Sequence, residues 1–252
     1  YGDKCFAALA KQRAQQSDVV VTNHTLLAIE IVDSHPILPE RDAIVLDEAH
    51  EFMDRTTQAV TEELTAQRVA RAAAMARKYA PGKLAENLTN ASDSFTDAIE
   101  SYGEFGNVGR LDELPTELEG PVRRVREAAQ AISQSFSADD EIIDTNELAD
   151  RARVKGAINE INQTSAKLLK TGGGQVLWFE PTFKTLYLAP LSVSQVLREN
   201  MLTKTPVIAT SATLTVGKGF DAMARSIGFA IDEETEINEG QIDPSIRHRP
   251  CE

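Results

Sequence analysis

A change of period partway along the chain is the feature that most limits its fold. Residues 1–55 and 175–230 alternate short β-branched runs with helical ones, whereas residues 56–174 show apolar residues at helical spacing and no strand signal. In the first stretch "KCFAALAKQRAQQS" reads as a helix and "DVVVT" (Asp18–Thr22) as a buried strand. "HTLLAIEIV" is helical or mixed, and "AIVL" (Ala43–Leu46) is a second buried strand. In the last stretch "QVLWF", "TLYLA" and "TPVIATSATL" read as strands, with helices "SVSQVLRENML" and "FDAMARSIGF". The middle carries three stripes, each expected to pack a core: Leu88, Ala91, Phe95, Ile99 and Tyr102; Val122, Val125, Ala129, Ile132 and Phe136; Val154, Ile158, Ile161 and Leu168. "APG" at 80–82, "FGNVG" at 105–109 and "TGGG" at 171–174 punctuate it into a bundle of about four or five helices. The expected architecture is a discontinuous α/β domain with a parallel sheet, residues 1–55 plus 175–230, interrupted by a helical insertion at 56–174 and followed by an acidic tail at 231–252.

Composition narrows the class. With 252 residues and 42% hydrophobic content, a sizeable core in one or two domains is within reach. The net charge of −13 is concentrated. Residues 131–150 hold Asp139, Asp140, Glu141, Asp144, Glu147 and Asp150, and residues 231–244 hold Asp232, Glu233, Glu234, Glu236, Glu239 and Asp243, neither stretch containing Lys or Arg. Such a balance argues against a nonspecific polyanion binder but leaves room for a local nucleic-acid groove. Two cysteines, Cys5 and Cys251, make no disulfide framework, so a reducing, cytoplasmic setting is expected. No apolar run approaches the roughly 18 residues of a membrane span. The opening "YGDKCFAALA" lacks an initiator Met and signal-peptide character, and is expected to lie within a longer protein.

The chemistry gathers where strands end. "AIVLDEAHEF" runs four apolar residues straight into Asp47-Glu48-Ala49-His50. Open parallel sheets bind ligands at the carboxyl ends of their strands, and paired carboxylates there suit nucleotide hydrolysis: one for Mg²⁺, the next to polarise water. The plainer alternative has Asp47 capping the next helix and Glu48 favouring its positive end. A second strand end, "VIATSATLT", offers the hydroxyls of Ser211 and Thr213 around Ala212, able to bond the acidic segment or merely their own turn. A zinc-protease reading of "HEFMD" fails, because Asp54 stands where the second histidine of H-E-x-x-H belongs.

These two motifs, with "SDVVVTNHTLL" (Ser17–Leu27) and "TLYLAPLSVSQVLRENML" before "TPVIATSATLT", resemble superfamily 2 helicases of the XPD/DinG type, most closely the bacterial DinG-like branch. The resemblance implies part of a P-loop helicase motor domain with a RecA-like parallel sheet and a mainly helical Arch-type insertion. It implies ATP and Mg²⁺ as ligands, Asp47 contacting the metal, Glu48 activating water and His50 coupling hydrolysis to movement. Ser211, Ala212 and Thr213 would form the coupling motif. It further implies a [4Fe–4S] cluster with Cys5 at the place of its last cysteine ligand, although one thiol cannot hold a cluster that takes four. Single-stranded or forked DNA, 5′ to 3′ movement and DNA repair follow from the same likeness.

Other parts of that pattern are missing. No G-x-x-x-x-G-K-[ST] loop occurs: "VGKGF" (Val216–Phe220) lacks the spaced first glycine and the Ser/Thr, and "TGGG" lacks lysine. A second motor domain is also absent, so the chain is expected to be the central part of a helicase and inactive alone. Candidate nucleic-acid contacts are Asn23 and His24 after the first strand, Arg68, Arg71, Arg77 and Lys78 on the first insertion helix, and Arg123 and Arg124 in "RRVR". A capping role for the first pair and solvated helix faces for the others explain these residues equally well. The rival function is a non-catalytic interaction module, with the helical insertion binding a protein or nucleic acid.

Overall fold

The computed structural model describes residues 6–33, 36–136, 145–212 and 220–229. In chain order the elements are α1 (Phe6–Ala14), α2 (His24–Asp33), β1 (Ile44–Leu46), α3 (Ala49–Val60), β2 (Glu62–Thr65), α4 (Ala66–Ala76), α5 (Gly82–Glu104) and β3 (Gly109–Leu111). There follow α6 (Thr116–Ser135), α7 (Thr145–Leu168), β4 (Gln175–Glu180), β5 (Thr185–Pro190), α8 (Ser194–Leu197) with a π-helical turn at Arg198–Leu202, β6 (Val207–Ala209) and α9 (Asp221–Ile227). The chain divides into two units, Tyr1–Ala59 with Ser192–Glu252, and Val60–Leu191.

In the first, discontinuous unit, β1 and β6 pair in parallel with Ile44 opposite Val207, Val45 opposite Ile208 and Leu46 opposite Ala209. Strand alternation turns Ile44 and Leu46 inward, toward a core that also takes Leu27, Ala28 and Ile31 of α2, Phe52 of α3, and Leu197 and Met201. The loop before β1 is fastened by Glu30. This buried carboxylate accepts from the amides of Ile37 and Leu38 and from the Arg41 guanidinium. Burial pushes its pKa up, but the Leu38 amide, Arg41 and the Ile37 amide together outweigh that and hold it below the usual carboxylate range. At the other end of the unit, α9 stops at Gly228, whose φ of +103° no ordinary side chain favours.

The second unit is a sheet of order β2-β5-β4-β3, antiparallel throughout, covered by α4 to α7. Leu64, Leu177, Phe179, Leu186 and Leu188 supply the sheet's inner face, and all three helical stripes pack against one another and that face. Every residue named in those stripes is buried except Tyr102, which is partly buried and packs edge-on to Phe179 at 5.2 Å. At the strand-to-helix switch the Thr65 hydroxyl accepts from the Arg68 amide at 2.9 Å and so caps α4.

Three expectations change. "DVVVT" joins no ladder among the described residues; Val19 and Val21 are 78% and 93% exposed. Strand propensity alone could not supply a pairing partner. "QVLWF" and "TLYLA", expected in the parallel sheet, form an antiparallel hairpin in the helix-bearing unit, moving its boundary from 174 to 191. The insertion expected to lack strands contributes β2 and β3, which flank that hairpin. Cys5, Thr213, Cys251 and the acidic tail at 231–252 lie outside the described residues. Among the described residues no helix is long and apolar enough to cross a membrane.

Candidate active site

The parallel pairing of β1 with β6 brings the two chemistry-bearing strand ends together. Beyond the last paired residues, the ladder continues: the Thr210 amide donates to Leu46 O at 2.8 Å and the Ala49 amide to Thr210 O at 2.9 Å. Asp47 and Thr210, each the first residue past its strand, therefore face one another, and the Thr210 hydroxyl donates to Asp47 Oδ1 at 3.0 Å. One residue further along, the Ser211 hydroxyl donates to Glu48 Oε2 at 3.0 Å. His50 Nδ1 lies 2.9 Å from Ser211 Oγ and 3.4 Å from Glu48 Oε2. With the Ser211 proton directed at Glu48, Nδ1–H is the donor toward Ser211 and Nε2 is left as the acceptor in the neutral ring.

Glu48 adopts φ +49°, in the left-handed region. A non-glycine residue there costs on the order of 1 kcal/mol, and such conformations cluster at functional sites. The turn lets the chain pass from strand to helix at Ala49 while the Glu48 carboxylate stays half-exposed beside Ser211. Asp47 Oδ1 also accepts from the Glu48 amide at 3.1 Å, so one oxygen of Asp47 is anchored twice. Its other oxygen has no protein partner among the described residues. A single anchored carboxylate suits Mg²⁺, which keeps several waters and binds through one or two carboxylates plus phosphate oxygens. Among the described residues no group of three or more His, Cys, Asp or Glu side chains is gathered to cage a metal. The chain's two cysteines do not make the four-thiolate set of a [4Fe–4S] cluster.

Asp47, Glu48, His50 and Ser211 are thus brought into one network; Ala212 sits exposed in the turn beyond it. Thr210 was missed by sequence reasoning. Its signal was positional: two parallel strands in register place their exit residues side by side, but only once they are known to be neighbours. Each candidate nucleic-acid residue has its own local setting. Asn23 Oδ1 accepts from the Leu26 amide at 2.9 Å and caps α2, and the His24 ring packs edge-on to Phe52 at 5.6 Å. Arg68 pairs with Glu160 at 2.8 Å and Glu63 at 3.7 Å, Arg123 pairs with Glu119, and Arg124 donates to Ser94 Oγ at 2.7 Å. Arg71 is exposed on α4.

A short parallel sheet ending in an acidic pair, interrupted in sequence by a mainly helical insertion, is a mixed α/β arrangement with a counterpart among solved structures. An XPD helicase structure aligns with 89% of the chain and 36% of its own length, at a TM-score of 0.51 and 14% identity. In sequence, the chain is similar to ATP-dependent helicase DinG of Mycobacterium tuberculosis, 35% identical over 244 residues, covering 92% of this chain and 36% of that protein. ATP-dependent DNA helicase YoaA of Escherichia coli is 28% identical over 242 residues, covering 89% of this chain and 37% of that one. The chain therefore spans little more than a third of the curated relatives it matches. A scan against protein-family models finds no match.

Proposed function

We propose that this chain is the central part of an ATP-dependent DNA helicase of the DinG/XPD type. Its discontinuous α/β unit would supply the hydrolytic strand ends of the first motor domain, and Val60–Leu191 would serve as the Arch-type insertion. The observation that carries this reading is the network of Asp47, Glu48, His50, Thr210 and Ser211 across two parallel strand ends. The DinG and YoaA relatives support it over nearly the whole chain.

Each residue then has a physical task. Asp47, fixed by Thr210 and by the next amide, would present its remaining oxygen to Mg²⁺. Mg²⁺ bound with ATP neutralises charge on the phosphates. Glu48 would orient and deprotonate the attacking water through the oxygen not engaged by Ser211. His50 and Ser211 share a hydrogen bond across the two strand ends, so a change at Glu48 displaces both and can pass to β6. The phosphate-binding loop and the second motor domain would come from the remainder of a longer protein. Cys5 would be one ligand of a [4Fe–4S] cluster completed by cysteines elsewhere in that protein. Translocation on single-stranded DNA in the 5′ to 3′ direction, at forks and in repair, completes the proposal.

The test is ATP hydrolysis by the full-length parent, with and without single-stranded DNA, beside Glu48→Gln. The carboxamide keeps size and the Ser211 contact but cannot take a proton, so turnover should fall by about 10²–10⁴-fold while nucleotide still binds. DNA-stimulated turnover that survives the substitution would remove Glu48 from the mechanism. A parent that never hydrolyses ATP would leave the interaction-module reading standing.

A further inference from the structure

On the four-stranded sheet Leu177 and Phe179 turn into the core, so Trp178 faces outward; likewise Leu186 and Leu188 turn in and Tyr187 faces out. Trp178 and Tyr187 are directly opposite in register, and their rings stack at 5.0 Å between centroids and 10° between planes. On the neighbouring edge strand Arg110 stands directly opposite Trp178. It is exposed, and has no hydrogen-bond or ion-pair partner among the described residues. Tyr187 also lines an open cavity of about 590 Å³ with Phe183, Lys184, Thr65, Thr182 and Thr185. The Phe183 ring at this cavity is 70% exposed.

Outward aromatics beside an unpaired guanidinium fit flat, π-faced, anionic ligands. Unpaired bases stack on such rings with little regard for sequence, and arginine serves either their phosphates or their faces. The cavity wall mixes four threonines, Thr65, Thr96, Thr182 and Thr185, with the rings of Phe183 and Tyr187, and so offers both polar groups and stacking faces. Glu63 is paired with Arg68, and Glu100 with Lys184. We propose that the outer face of this sheet is a stacking platform for one or two unpaired bases of single-stranded nucleic acid, with Trp178 and Tyr187 as its core and Arg110 and Phe183 at its two sides. It rests on the reading that the parent protein acts on DNA.

Trp178 is the only tryptophan of the chain, so its fluorescence reports the platform directly. The 252-residue chain is titrated with a short oligothymidine and with duplex of equal length. The single strand should quench Trp178 at about 1–100 μM and the duplex should not. Tyr187→Leu should weaken binding roughly tenfold and Tyr187→Phe should leave it intact, as stacking and not the hydroxyl demands. Phe183→Ala and Arg110→Ala, both at exposed positions that cannot unfold the sheet, should each weaken it several-fold. No quenching, or quenching indifferent to Tyr187, Phe183 and Arg110, overturns the platform and turns this face over to a protein partner. If the full-length parent still shows DNA-stimulated hydrolysis in that case, the motor reading survives without it.

Discussion

The two units close their cores by different means. In Val60–Leu191 a four-stranded sheet lays one apolar face against four helices, and the buried cluster runs from Leu64 on β2 to Leu188 on β5 without interruption. In the discontinuous unit the sheet has, among the described residues, two strands of three residues each, and on its second face Val45 is 66% and Ile208 58% exposed, side by side in register. A two-stranded sheet is marginal on its own in water, whereas a sheet sealed by a helical layer is not. The difference teaches that the chemistry-bearing strand ends sit on the less self-sufficient half of the molecule. Local stability and catalytic apparatus are separated along the chain.

The largest expected effect tests that contrast directly. Phe95 is wholly buried in the helical unit, and Phe95→Ala should cost about 3–5 kcal/mol through lost burial and the cavity left behind. Val45→Thr on that second sheet face should stay within about 0.5 kcal/mol, because little is removed from water there. Trp178, on β4, reports unfolding of the helical unit alone. Urea unfolding followed by its fluorescence should therefore move strongly for Phe95→Ala and hardly at all for Val45→Thr. A Trp-detected midpoint that moves equally for both would mean the two cores are not distinct.

Next in size is Gly228→Ala in the discontinuous unit. A Cβ there would stand 2.2 Å from Ser194 O, a backbone atom that cannot swing aside, and would also carry φ +103°. Strain and overlap together should cost about 2–4 kcal/mol. The expected signature is faster amide exchange at Thr210 and Ala49, whose hydrogen bonds join the two strand ends. The Trp178 midpoint should hold. If it falls as far as it does for Phe95→Ala, the units unfold as one cooperative block and the comparison breaks.

How much of this was readable in advance depended on whether the deciding contact is local. Helical stripes were, because residues such as Leu88, Phe95 and Ile99 meet their environment at a period the chain itself displays. Sheet membership was not. β2 reads "EELT" and hides its one buried residue, Leu64, among the charges an edge strand carries, and the β4–β5 turn places Lys184 at φ +49° where a glycine would have announced a hairpin. At the site, Asp47-Glu48-Ala49-His50 announced itself by following a buried strand. The share of Thr210 in it did not, since a threonine after a strand looks alike whether or not another strand's aspartate stands opposite.

The smallest effect sharpens the comparison from the weaker side. Glu30 fastens the segment leading into β1 through two amides and Arg41, and its pKa is held below the usual range. For a carboxylate lowered on folding, the linked stability is fully present above the unfolded-state pKa and drains away as pH falls through the folded-state value. Glu30→Gln keeps the shape but loses the charge, and should cost about 1–2 kcal/mol near neutrality as charge-assisted bonds become neutral ones. The exchange ratio of variant to parent at the Ile37 and Leu38 amides should accordingly be large at neutral pH and shrink toward one in acid, once the parent carboxylate is itself protonated. A ratio that stays constant with pH would mean the loop is held by packing around Ile44 and Met201, not by the charge on Glu30, and would place the strand ends on firmer ground than their short sheet implies.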